Sequence, residues 1–395
     1  MNRFALLQVL GICLILTAPS GLCSPIYSTN GIGLLIPDNA GVSQGMGGTG
    51  IGNGDGTNML RGNPALLGAF KEPSFAFGVY HERNTAFTGG SERPRFAKTT
   101  PDLLKIILPV GKGFTLGWGL SPYSRTDGVI EIHDDLFIDQ MKSSGGVNIS
   151  SLGVAATYKN IIHLGISFNY NFGMIKEEWV RSFPNNAEVH ESTSTIKKKF
   201  KGYSTAVGIL THVTANTSVG MGYTGKTDLD NTVLLWSGDI SDPEHHFENE
   251  KISLPASWRF GITSVFKKQL TASMDFSYQE WEKAARSLKE KEMYTNTYQF
   301  GAGVRFIPLH ILSVPYYKTL PISAGFKFGT QYYKSYPEVH SVFEKAVTAG
   351  IEFPFAENLG CMMTSFEFGT RGNKGKNGWD ETYMQIGFVL VGKIK

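Results

Sequence analysis

The sequence predicts an all-β protein: a transmembrane antiparallel β-barrel of about fourteen strands, with an N-terminal glycine-rich hatch inside the lumen. Three observations predict this fold. Polar and apolar residues alternate from residue 74 onward, the connections between the alternating runs are short and long in turn, and seven of the twelve residues from Gly45 to Gly56 are glycine. We expect a signal peptide over residues 1–23, the hatch over residues 24–73 and the barrel over residues 74–395.

The first element has the parts of a secretory signal. Arg3 supplies the positive charge, residues 5–16 form an apolar run broken once, and small residues surround a cleavage position before Ser24. The apolar run is shorter than the ~20 residues that a membrane-spanning helix needs. Cleavage there would leave Cys361 as the one cysteine of the mature chain, which excludes an intramolecular disulfide.

The second element, residues 24–73, is expected to turn tightly and to pack against another part of the chain. Glycine loses more backbone entropy than other residues in a helix or strand, so the glycines between residues 41 and 68 favour neither. Proline then fixes one dihedral angle and pushes the residue before it toward an extended conformation. The residues expected to form the hatch and its gate are Gly45, Gly47, Gly48, Asn63, Pro64 and Ala65.

The third element alternates with a period of two, which is typical of strands with two chemically different faces. Residues 164–172 read Leu-Gly-Ile-Ser-Phe-Asn-Tyr-Asn-Phe, and residues 270–278 alternate in the same way. A soluble β-sandwich alternates too. Two further features favour a membrane barrel: the second face is rich in Gly, Ser, Thr and Asn, as a wet lumen is, and aromatic residues gather near the strand ends.

Connection lengths give the predicted barrel two different ends. The short connections fall near residues 111–113, 159–160, 214–216, 267–269 and 354–357. The connections of the other parity fall near residues 84–100, 126–146, 181–193, 228–249, 282–292, 335–340 and 372–378, and most of them are long. Outer-membrane barrels show this asymmetry because their periplasmic turns are short and their extracellular loops long. One connection departs from it, since residues 307–318 are too many for a periplasmic turn.

Composition and motifs point away from several function classes. Charged residues make up 18% of the chain, the net charge is +3 and no long basic run occurs, so a nucleic-acid-binding protein is not predicted. The glycines at 45–52 lack the preceding strand of a nucleotide-binding loop. The histidine clusters at 133–135 and 245–246 lie in predicted loops without a nucleophile nearby in sequence. We therefore expect no enzyme activity, no cofactor and no metal site.

The glycine-rich segment and several barrel motifs resemble the FadL/TodX/PorV-like outer-membrane protein superfamily. The hatch of that superfamily carries Gly-Met-Gly-Gly and then Asn-Pro-Ala, which here are residues 45–48 and 63–65. The run Leu-Pro-Ala-Ser-Trp-Arg-Phe-Gly at residues 254–261 is similar to the start of a mid-barrel strand of the superfamily. Residues 367–372, followed by Asn377, Glu381 and Tyr383, resemble the last hairpin of PorV-like members. The resemblance implies a fourteen-stranded barrel with an N-terminal hatch.

The resemblance also implies a function. It implies an outer-membrane channel for passive uptake of hydrophobic small molecules, long-chain fatty acids or aromatic hydrocarbons, gated by the hatch. The alternative is a PorV-like outer-membrane interaction protein that shuttles or anchors partners of a secretion system. The expected partners are outer-membrane lipid, lipopolysaccharide, the barrel-assembly machinery and, for a channel, a hydrophobic ligand. The chain is expected to be a monomer in the outer membrane of a Gram-negative bacterium.

Five charged residues are predicted to point into the lumen: Arg259, Asp275, Arg305, Lys327 and Glu367. An Arg or Lys that faces lipid at mid-depth costs about 2–4 kcal/mol, so the inward direction is favoured. Two interpretations stay open. Either the five residues belong to an ion-pair network that braces the barrel and anchors the hatch, or one of the cations meets a substrate carboxylate.

The predicted third strand contains three residues that indicate a bend: Gly117, Gly119 and Pro122. Glycines inside a strand mark bulges, and proline removes a donor from the ladder. The resemblance implies sideways release of a hydrophobic substrate at a kink in this region. The alternative is a plain strand of small residues under the hatch.

Overall fold

A computed structural model of the chain describes residues 26–39, 41–87, 95–134, 136–184, 190–237, 245–247, 252–286, 288, 290–308, 314–335, 339–355 and 359–394. The predicted signal peptide lies outside these residues. The strands are β1 (Leu34–Leu35), β2 (Ser74–Phe87), β3 (Arg95–Gly111), β4 (Phe114–Pro122), β5 (Ser124–His133), β6 (Ile138–Tyr158), β7 (Ile162–Ser182), β8 (Ser192–His212), β9 (Thr217–Thr224), β10 (Thr227–Ser237), β11 (His245–Phe247), β12 (Ile252–Leu254), β13 (Ser257–Phe266), β14 (Leu270–Gln279), β15 (Thr297–Phe306), β16 (Ile322–Thr330), β17 (Phe343–Phe355), β18 (Gly360–Gly372) and β19 (Asp380–Lys393).

The helices are short. The α-helices are α1 (Val42–Gly45), α2 (Trp281–Ala284) and α3 (Lys374–Asn377), and the 3₁₀-helices are Ile26–Thr29, Pro64–Ala69, Lys291–Met293 and Tyr316–Lys318. In the described part of the chain no helix has both the length and the apolar character needed to cross a membrane.

Strands β2 to β19 form one closed antiparallel barrel. Three barrel strands are interrupted: β4 and β5 are two halves of one strand, β9 and β10 of another, and β11, β12 and β13 are parts of a third. Counted in this way there are fourteen barrel strands, and the pairing of β19 with β2, from Asp380↔Phe87 to Lys393↔Ser74, closes the cylinder. The predicted all-β barrel and its strand count are therefore confirmed.

The alternation of side chains gives the barrel an apolar outer face. On β7 the side chains of Leu164, Ile166 and Phe168 are exposed, by 55%, 51% and 52%, whereas the intervening Ser167 and Asn169 are buried. The same register holds across strands, since Phe260 pairs with Phe276 and Ile262 with Met274. Large exposed apolar residues in a continuous outward band are what a lipid-facing surface requires.

The two ends of the barrel differ as the sequence predicts. We call one the short-turn end; its connections include residues 112–113, 159–161, 213–216 and 267–269. At these turns Lys112, Lys159, Asn160, Lys267 and Lys268 have positive φ. The other is the long-loop end, with connections such as 183–191, 280–296 and 331–342. The exceptional connection remains long, over residues 307–321, and contains the 3₁₀-helix Tyr316–Lys318.

Two predicted long loops, residues 126–146 and 228–249, consist largely of strands. In the second, β10 covers Thr227–Ser237 and pairs with β8. Most of residues 126–146 belongs to a β-hairpin, because β5 pairs with β6 from Thr126↔Gly145 to His133↔Ile138. Only residues 134–137 connect the two strands. Polar residues on the inward side of the hairpin are packed inside the protein, since Thr126 and Ser143 are buried and share a hydrogen bond. A run of polar residues therefore does not distinguish such a hairpin from a loop.

Candidate functional site in the barrel lumen

Residues 26–73, which we call the N-terminal segment, lie against the inward faces of the barrel strands. Near its start, the Tyr27 hydroxyl donates to the Trp379 carbonyl (2.8 Å) at the long-loop end. Near its end, Lys71 Nζ donates to Asn160 Oδ1 (2.7 Å) at the short-turn end. Between these points β1 pairs with β5, and α1 packs against β17 and β18. The segment therefore passes from one end of the lumen to the other.

The side chain of Asn63 makes three hydrogen bonds. Its side chain is fully buried, and Nδ2 donates to the carbonyls of Ile51 (3.0 Å) and Ile209 (3.2 Å). Its Oδ1 accepts from the Ala65 amide (3.1 Å), which caps the 3₁₀-helix that begins at Pro64. One side chain thus ties two parts of the segment to each other and to β8. The sequence signal, an Asn before a Pro, is the usual one for a capped helical turn.

Two of the three predicted hatch glycines, Gly45 and Gly47, lie close to barrel backbone. Gly47 has φ of +71°, and a Cβ there would lie 2.4 Å from the Phe326 carbonyl oxygen. The Thr348 hydroxyl accepts from the Gly47 amide (2.9 Å) and donates to the Gly45 carbonyl (3.0 Å). Gly48 has φ of +77° and lies beside Asn39. At position 47 glycine is required both for the positive φ and for the close approach to the Phe326 carbonyl.

Barrel glycines provide the matching space on the other side of the contact. A Cβ on Gly208 would lie 2.0 Å from Asn63 Oδ1, and one on Gly165 would lie 2.3 Å from the Ala65 amide nitrogen. On β9, Cβ atoms on Gly220 and Gly222 would each lie 1.9 Å from a carbonyl oxygen of the segment. These small inward residues, which the sequence suggested would line a wet lumen, here make contact with the N-terminal segment.

Asp275 binds the glycine-rich turn through its carboxylate. Oδ2 accepts from the amides of Gly50 (2.7 Å) and Ile51 (2.8 Å), while Oδ1 is buried without a hydrogen-bond partner in the described residues. Asp275 lies on β14, next to Gly261 of β13. Hydrogen bonds from backbone amides to a carboxylate are about twice as strong as neutral ones, so this residue fixes the turn to the barrel wall.

Asp38, which sequence reasoning missed, joins the segment to itself and to the barrel. Oδ1 accepts from the Arg61 amide (3.0 Å), and Oδ2 accepts from the Gly62 amide (2.6 Å) and from Arg259 Nη1 (2.8 Å). Burial disfavours the charged form, but the positive charges of Arg61 and Arg259 outweigh it and hold the pKa of Asp38 below its usual value. The predicted lumen residue Arg259 is therefore half of an ion pair that holds the segment.

Lys327 and Glu367 belong to a charge network near the long-loop end. Lys327 Nζ lies 2.7 Å from Glu367 Oε1 and 3.8 Å from Glu344 Oε1. The Tyr383 hydroxyl lies 2.7 Å from Glu344 Oε1 and 2.8 Å from Glu367 Oε1. Arg371 bonds to Glu344 (3.1 Å), so four neighbouring strands, β16 to β19, share one buried cluster.

This network continues to the first and third barrel strands through Glu82. One carboxylate oxygen of Glu82 binds Arg371 Nη1 (3.0 Å), and the other binds Arg125 Nη2 (3.1 Å). Arg125 also donates to Tyr80 (3.2 Å) and Thr100 (3.1 Å). Arg125 lies on β5, so the network links β5 to both β2 and β3.

Arg305 forms a separate pair near the short-turn end. Its guanidinium binds Glu352 through two hydrogen bonds (2.6 and 2.8 Å), and Nη1 binds Asp55 Oδ2 of the N-terminal segment (2.9 Å). The five predicted charged residues all lie inward, but in different places. Lys327 and Glu367 belong to the network near the long-loop end, Arg259 pairs with Asp38, Asp275 binds the glycine-rich turn, and Arg305 pairs with Glu352 near the short-turn end. They do not converge on one point, because the strand stagger places them at different depths.

A cavity lies between the N-terminal segment and the barrel wall. Its empty volume is about 1370 Å³, open solvent included, and its lining includes Arg259, Asp275, Lys327 and Glu367 but not Arg305. Its wall mixes charged and hydrogen-bonding side chains with apolar ones such as Leu34, Ile36, Leu60 and Phe328. We call it the upper cavity.

The third barrel strand departs from its neighbour at the predicted bend. The ladder between β3 and β4 ends at Leu104↔Leu120, whereas β3 continues to pair with β2 as far as Arg95. Beyond Pro122, β5 pairs with β6 and with β1 of the N-terminal segment. The structure therefore has a break in the ladder between β3 and β5, bridged by side chains such as the Lys98–Asp127 ion pair.

The two predicted bend glycines differ in their surroundings. A Cβ on Gly117 would lie 2.5 Å from the Leu67 side chain, so Gly117 makes room for the N-terminal segment. A Cβ on Gly119 would meet the Lys105 side chain at an ordinary 3.5 Å. The ladder ends between these glycines and Pro122, and no positive φ occurs at any of the three.

A second cavity, which we call the side cavity, lies at this break. It has an empty volume of about 720 Å³, open solvent included, and its apolar lining includes Met59, Leu60, Leu67, Leu103 and Leu120. Six residues line both cavities: Pro37, Asp38, Asn39, Leu60, Arg61 and Asp102. The two spaces therefore meet at the Asp38–Arg61 contact.

The structure describes only parts of the two histidine clusters that sequence analysis weighed for catalysis or metal binding. Among the described residues, no group of three or more His, Cys, Asp and Glu side chains could hold a metal ion. His133 is exposed and lies 3.6 Å from Glu131, and Asp135 lies outside the described residues. The side chains of His245 and His246 are also outside them.

Comparisons with known proteins agree with this architecture. The model of the BamG family matches residues 1–392. No curated protein matches the sequence. Among solved structures, the CymD monoaromatic hydrocarbon channel has a TM-score of 0.60 at 16% identity, covering 91% of this chain and 99% of that chain. The toluene transporter TodX of P. putida has a TM-score of 0.60 at 14% identity and covers the same shares, 91% of this chain and 99% of that chain.

A third solved structure extends this likeness. A FadL homologue of Pseudomonas aeruginosa has a TM-score of 0.60 at 10% identity, covering 91% of this chain and 98% of that chain. At such low identity these likenesses show the fold. They confirm the predicted resemblance to FadL/TodX-type barrels.

Proposed function

The chain belongs to the BamG family, and from that premise we propose that it is an outer-membrane channel for passive uptake of hydrophobic small molecules, gated by the N-terminal segment. The observation that carries the proposal is the meeting of the two cavities at the Asp38–Arg61 contact, beside the break between β3 and β5. CymD is described as a monoaromatic hydrocarbon channel and TodX as a toluene transporter. These descriptions support the same class of cargo for this barrel.

In this proposal the long-loop end faces the cell exterior, because extracellular loops are the longer ones in outer-membrane barrels. A ligand enters the upper cavity first. The wall there carries charged side chains beside apolar ones, so this cavity suits a polar end or a small ligand. The apolar lining of the side cavity then takes the hydrophobic part.

The N-terminal segment acts as the hatch. Arg61 Nη1 donates to Ser121 Oγ (2.6 Å) at the break, and Asp38 holds the Arg61 and Gly62 amides. Displacement of residues 37–39 and 60–61 would join the two cavities. Because β5 is already separated from β3, the joined path leads to the side of the barrel. Export through a signal peptide over residues 1–23 and a monomeric state are parts of the same proposal.

The PorV-like alternative is not favoured. The residues that suggested it, Glu367, Arg371, Glu381 and Tyr383, are at most 4% exposed. Arg371 and Tyr383 belong to the internal charge network and not to an outer surface. The resemblance of this hairpin is therefore explained by barrel bracing.

Uptake measurements test the proposal. A strain without this protein should accumulate labelled toluene or oleate more slowly than the parent, and expression of the wild-type chain should restore the rate. A double variant with Cys at positions 34 and 125, which pair across β1 and β5, should form a disulfide when oxidised. Because the disulfide ties the N-terminal segment to the barrel wall, uptake should fall on oxidation and return on reduction. Equal uptake of both ligands by the deletion strain and the parent would contradict the proposal.

A further inference from the structure

The outer face of β7 and β8 has a defined apolar band. On β7 the outward side chains are apolar from Ile162 to Met174, a run of about 40 Å along the strand, or about 30 Å along the membrane normal after strand tilt. Ile162 lies next to the short-turn end. Met174 therefore lies at the outer-leaflet edge of this band.

Aromatic rings mark the upper part of the band. Phe168 and Tyr203 stack with ring centroids 5.4 Å apart, and Tyr170 lies 5.2 Å from Tyr203 and 5.3 Å from Phe172. Tyr203 is 62% exposed on the outside of the barrel. Tyr and Trp gather at the level of lipid headgroups.

Lysines follow directly beyond these rings. On β8, Lys201, Lys199 and Lys197 occupy the next outward positions after Tyr203. Lys199 pairs with Met174, and Lys197 pairs with Lys176 of β7. Lys142 of β6 pairs with Glu178 on the same face. We call these five lysines, Lys142, Lys176, Lys197, Lys199 and Lys201, the lysine patch.

The charges of the patch are only partly balanced. Glu178 bonds to Lys176 (2.6 Å), and Asp230 lies 4.0 Å from Lys201. No ion pair involves Lys197 or Lys199 within the described part of the chain. Like charges placed directly opposite each other in a sheet destabilise it, and Lys176 and Lys197 are such a pair. A bound anion would remove this repulsion.

The inward lysine of the same strand behaves differently. Lys198 lies between Lys197 and Lys199 in sequence but points to the opposite face, where its Nζ lies 2.8 Å from Glu177 Oε1. The strand therefore pairs its inward cation and leaves the two neighbouring outward cations available.

We propose that the lysine patch binds the phosphate groups of the outer-leaflet glycolipid, lipid A. The positive charge of the patch is complementary to the negative phosphates, and the patch lies at the level of the outer-leaflet headgroups. The aromatic rings below it would contact the sugars and the upper parts of the acyl chains. Clusters of Lys and Arg at a membrane interface bind anionic headgroups in this way. The acyl chains of the same lipid would lie along Leu164, Ile166 and Phe168.

Retention of lipid tests the site. The full chain is extracted in mild detergent, incubated with bisphosphorylated lipid A, washed and analysed by native mass spectrometry. Wild type should retain the lipid, and the quadruple variant K176Q/K197Q/K199Q/K201Q should bind it at least about tenfold more weakly, since each interfacial cation contributes to headgroup attraction. Lys198→Gln is the matched control and should bind as wild type does.

A second measurement keeps the test decisive if the quadruple variant assembles poorly. Wild type should bind lipid A from which both phosphates have been removed as weakly as the quadruple variant binds the intact lipid. The single variant Lys199→Gln should lower retention by a few-fold in a barrel that still shows heat-dependent mobility on a gel. Equal retention of phosphorylated and dephosphorylated lipid by wild type would overturn the proposal, as would equal retention by wild type and the Lys199→Gln variant.

Discussion

Arg61 of the N-terminal segment donates a 2.6 Å hydrogen bond to the Ser121 hydroxyl, one residue before the proline at which the third barrel strand leaves β3. The same side chain lies 5.8 Å from the Tyr123 ring centroid, on the far side of that proline. The segment is thus attached to the wall at the break. This contact relates the proposed gate to a place in the described ladders where two neighbouring barrel strands separate.

Arg61→Gln should raise uptake. The substitution removes a charged hydrogen bond worth about 1.5–3 kcal/mol, which corresponds to a roughly tenfold or larger shift toward the displaced segment. Asp38 keeps its bond to Arg259, so the barrel should still assemble. The rate of labelled toluene entry into cells checks this, with Lys71→Gln, which removes an exposed contact at the short-turn end, as the control. An unchanged rate in Arg61→Gln would remove Arg61 from the gate.

Asn63→Ala should destabilise the folded barrel and make it leaky. The change leaves the Ile51 carbonyl and the Ala65 amide without their side-chain partner, and each buried unsatisfied group costs about 1–3 kcal/mol. The temperature at which the purified protein loses its compact mobility on a gel should fall. Asn216→Ala, in an exposed turn, should leave it unchanged. If Asn63→Ala alters neither stability nor permeability, the hatch proposal loses its best-defined anchor.

Gly47→Ala should be among the most damaging small changes in the chain. It forces alanine into a positive-φ conformation and places Cβ 2.4 Å from the Phe326 carbonyl, so the segment has to move away from β16. Dye entry into cells should increase, and the yield of folded barrel should fall. Gly119→Ala is the matched control, because its Cβ would meet only an ordinary contact at 3.5 Å. Equal effects of the two substitutions would show that the close approach at Gly47 is unimportant.

The barrel itself could be predicted from the sequence because its signals are local. A period of two needs only neighbouring residues, and the Asn63-Pro64-Ala65 cap forms within one turn. The partners of the inward charges could not be predicted in the same way. Whether Lys327 meets Glu367 or another carboxylate depends on the stagger between strands that are distant in sequence, and no local pattern encodes it.

The break beside β3 was only partly predictable for a related reason. Pro122 indicated a bend, but the end of the ladder depends on β1, which precedes the glycine-rich part of the chain and pairs with β5. Asp38 carried no motif of its own. Its role follows from three donors that converge on it, two from the segment and one from Arg259 of β13.

Lys327 separates the two interpretations of the lumen charges. Lys327→Met leaves the Glu367 carboxylate buried beside Glu344, and breaking such a pair costs about 3–5 kcal/mol, so the unfolding temperature should fall. The double variant K327M/E367Q should recover at least half of the loss, since no unpaired charge remains. If Lys327 only braces the barrel, the double variant should take up oleate and toluene at wild-type rates. Selective loss of oleate uptake would instead indicate contact with a substrate carboxylate.

The attachment of the segment at Asp38 should depend on pH only in the acid range. Arg61 and Arg259 lower the folded-state pKa of Asp38, so its ionised form stabilises the folded state at every pH above the ordinary aspartate value of about 4. That stabilisation is lost as the pH falls through the lowered pKa, because the protonated carboxyl no longer pairs with Arg259. In planar bilayers, the difference in conductance between Asp38→Asn and wild type should therefore stay constant from pH 7 to about pH 4 and disappear below it. Asp38→Asn should show the raised conductance at pH 7, whereas Asp230→Asn, an exposed outward residue, should follow wild type at every pH. A difference that already shrinks near pH 6 would assign the transition to a group other than Asp38.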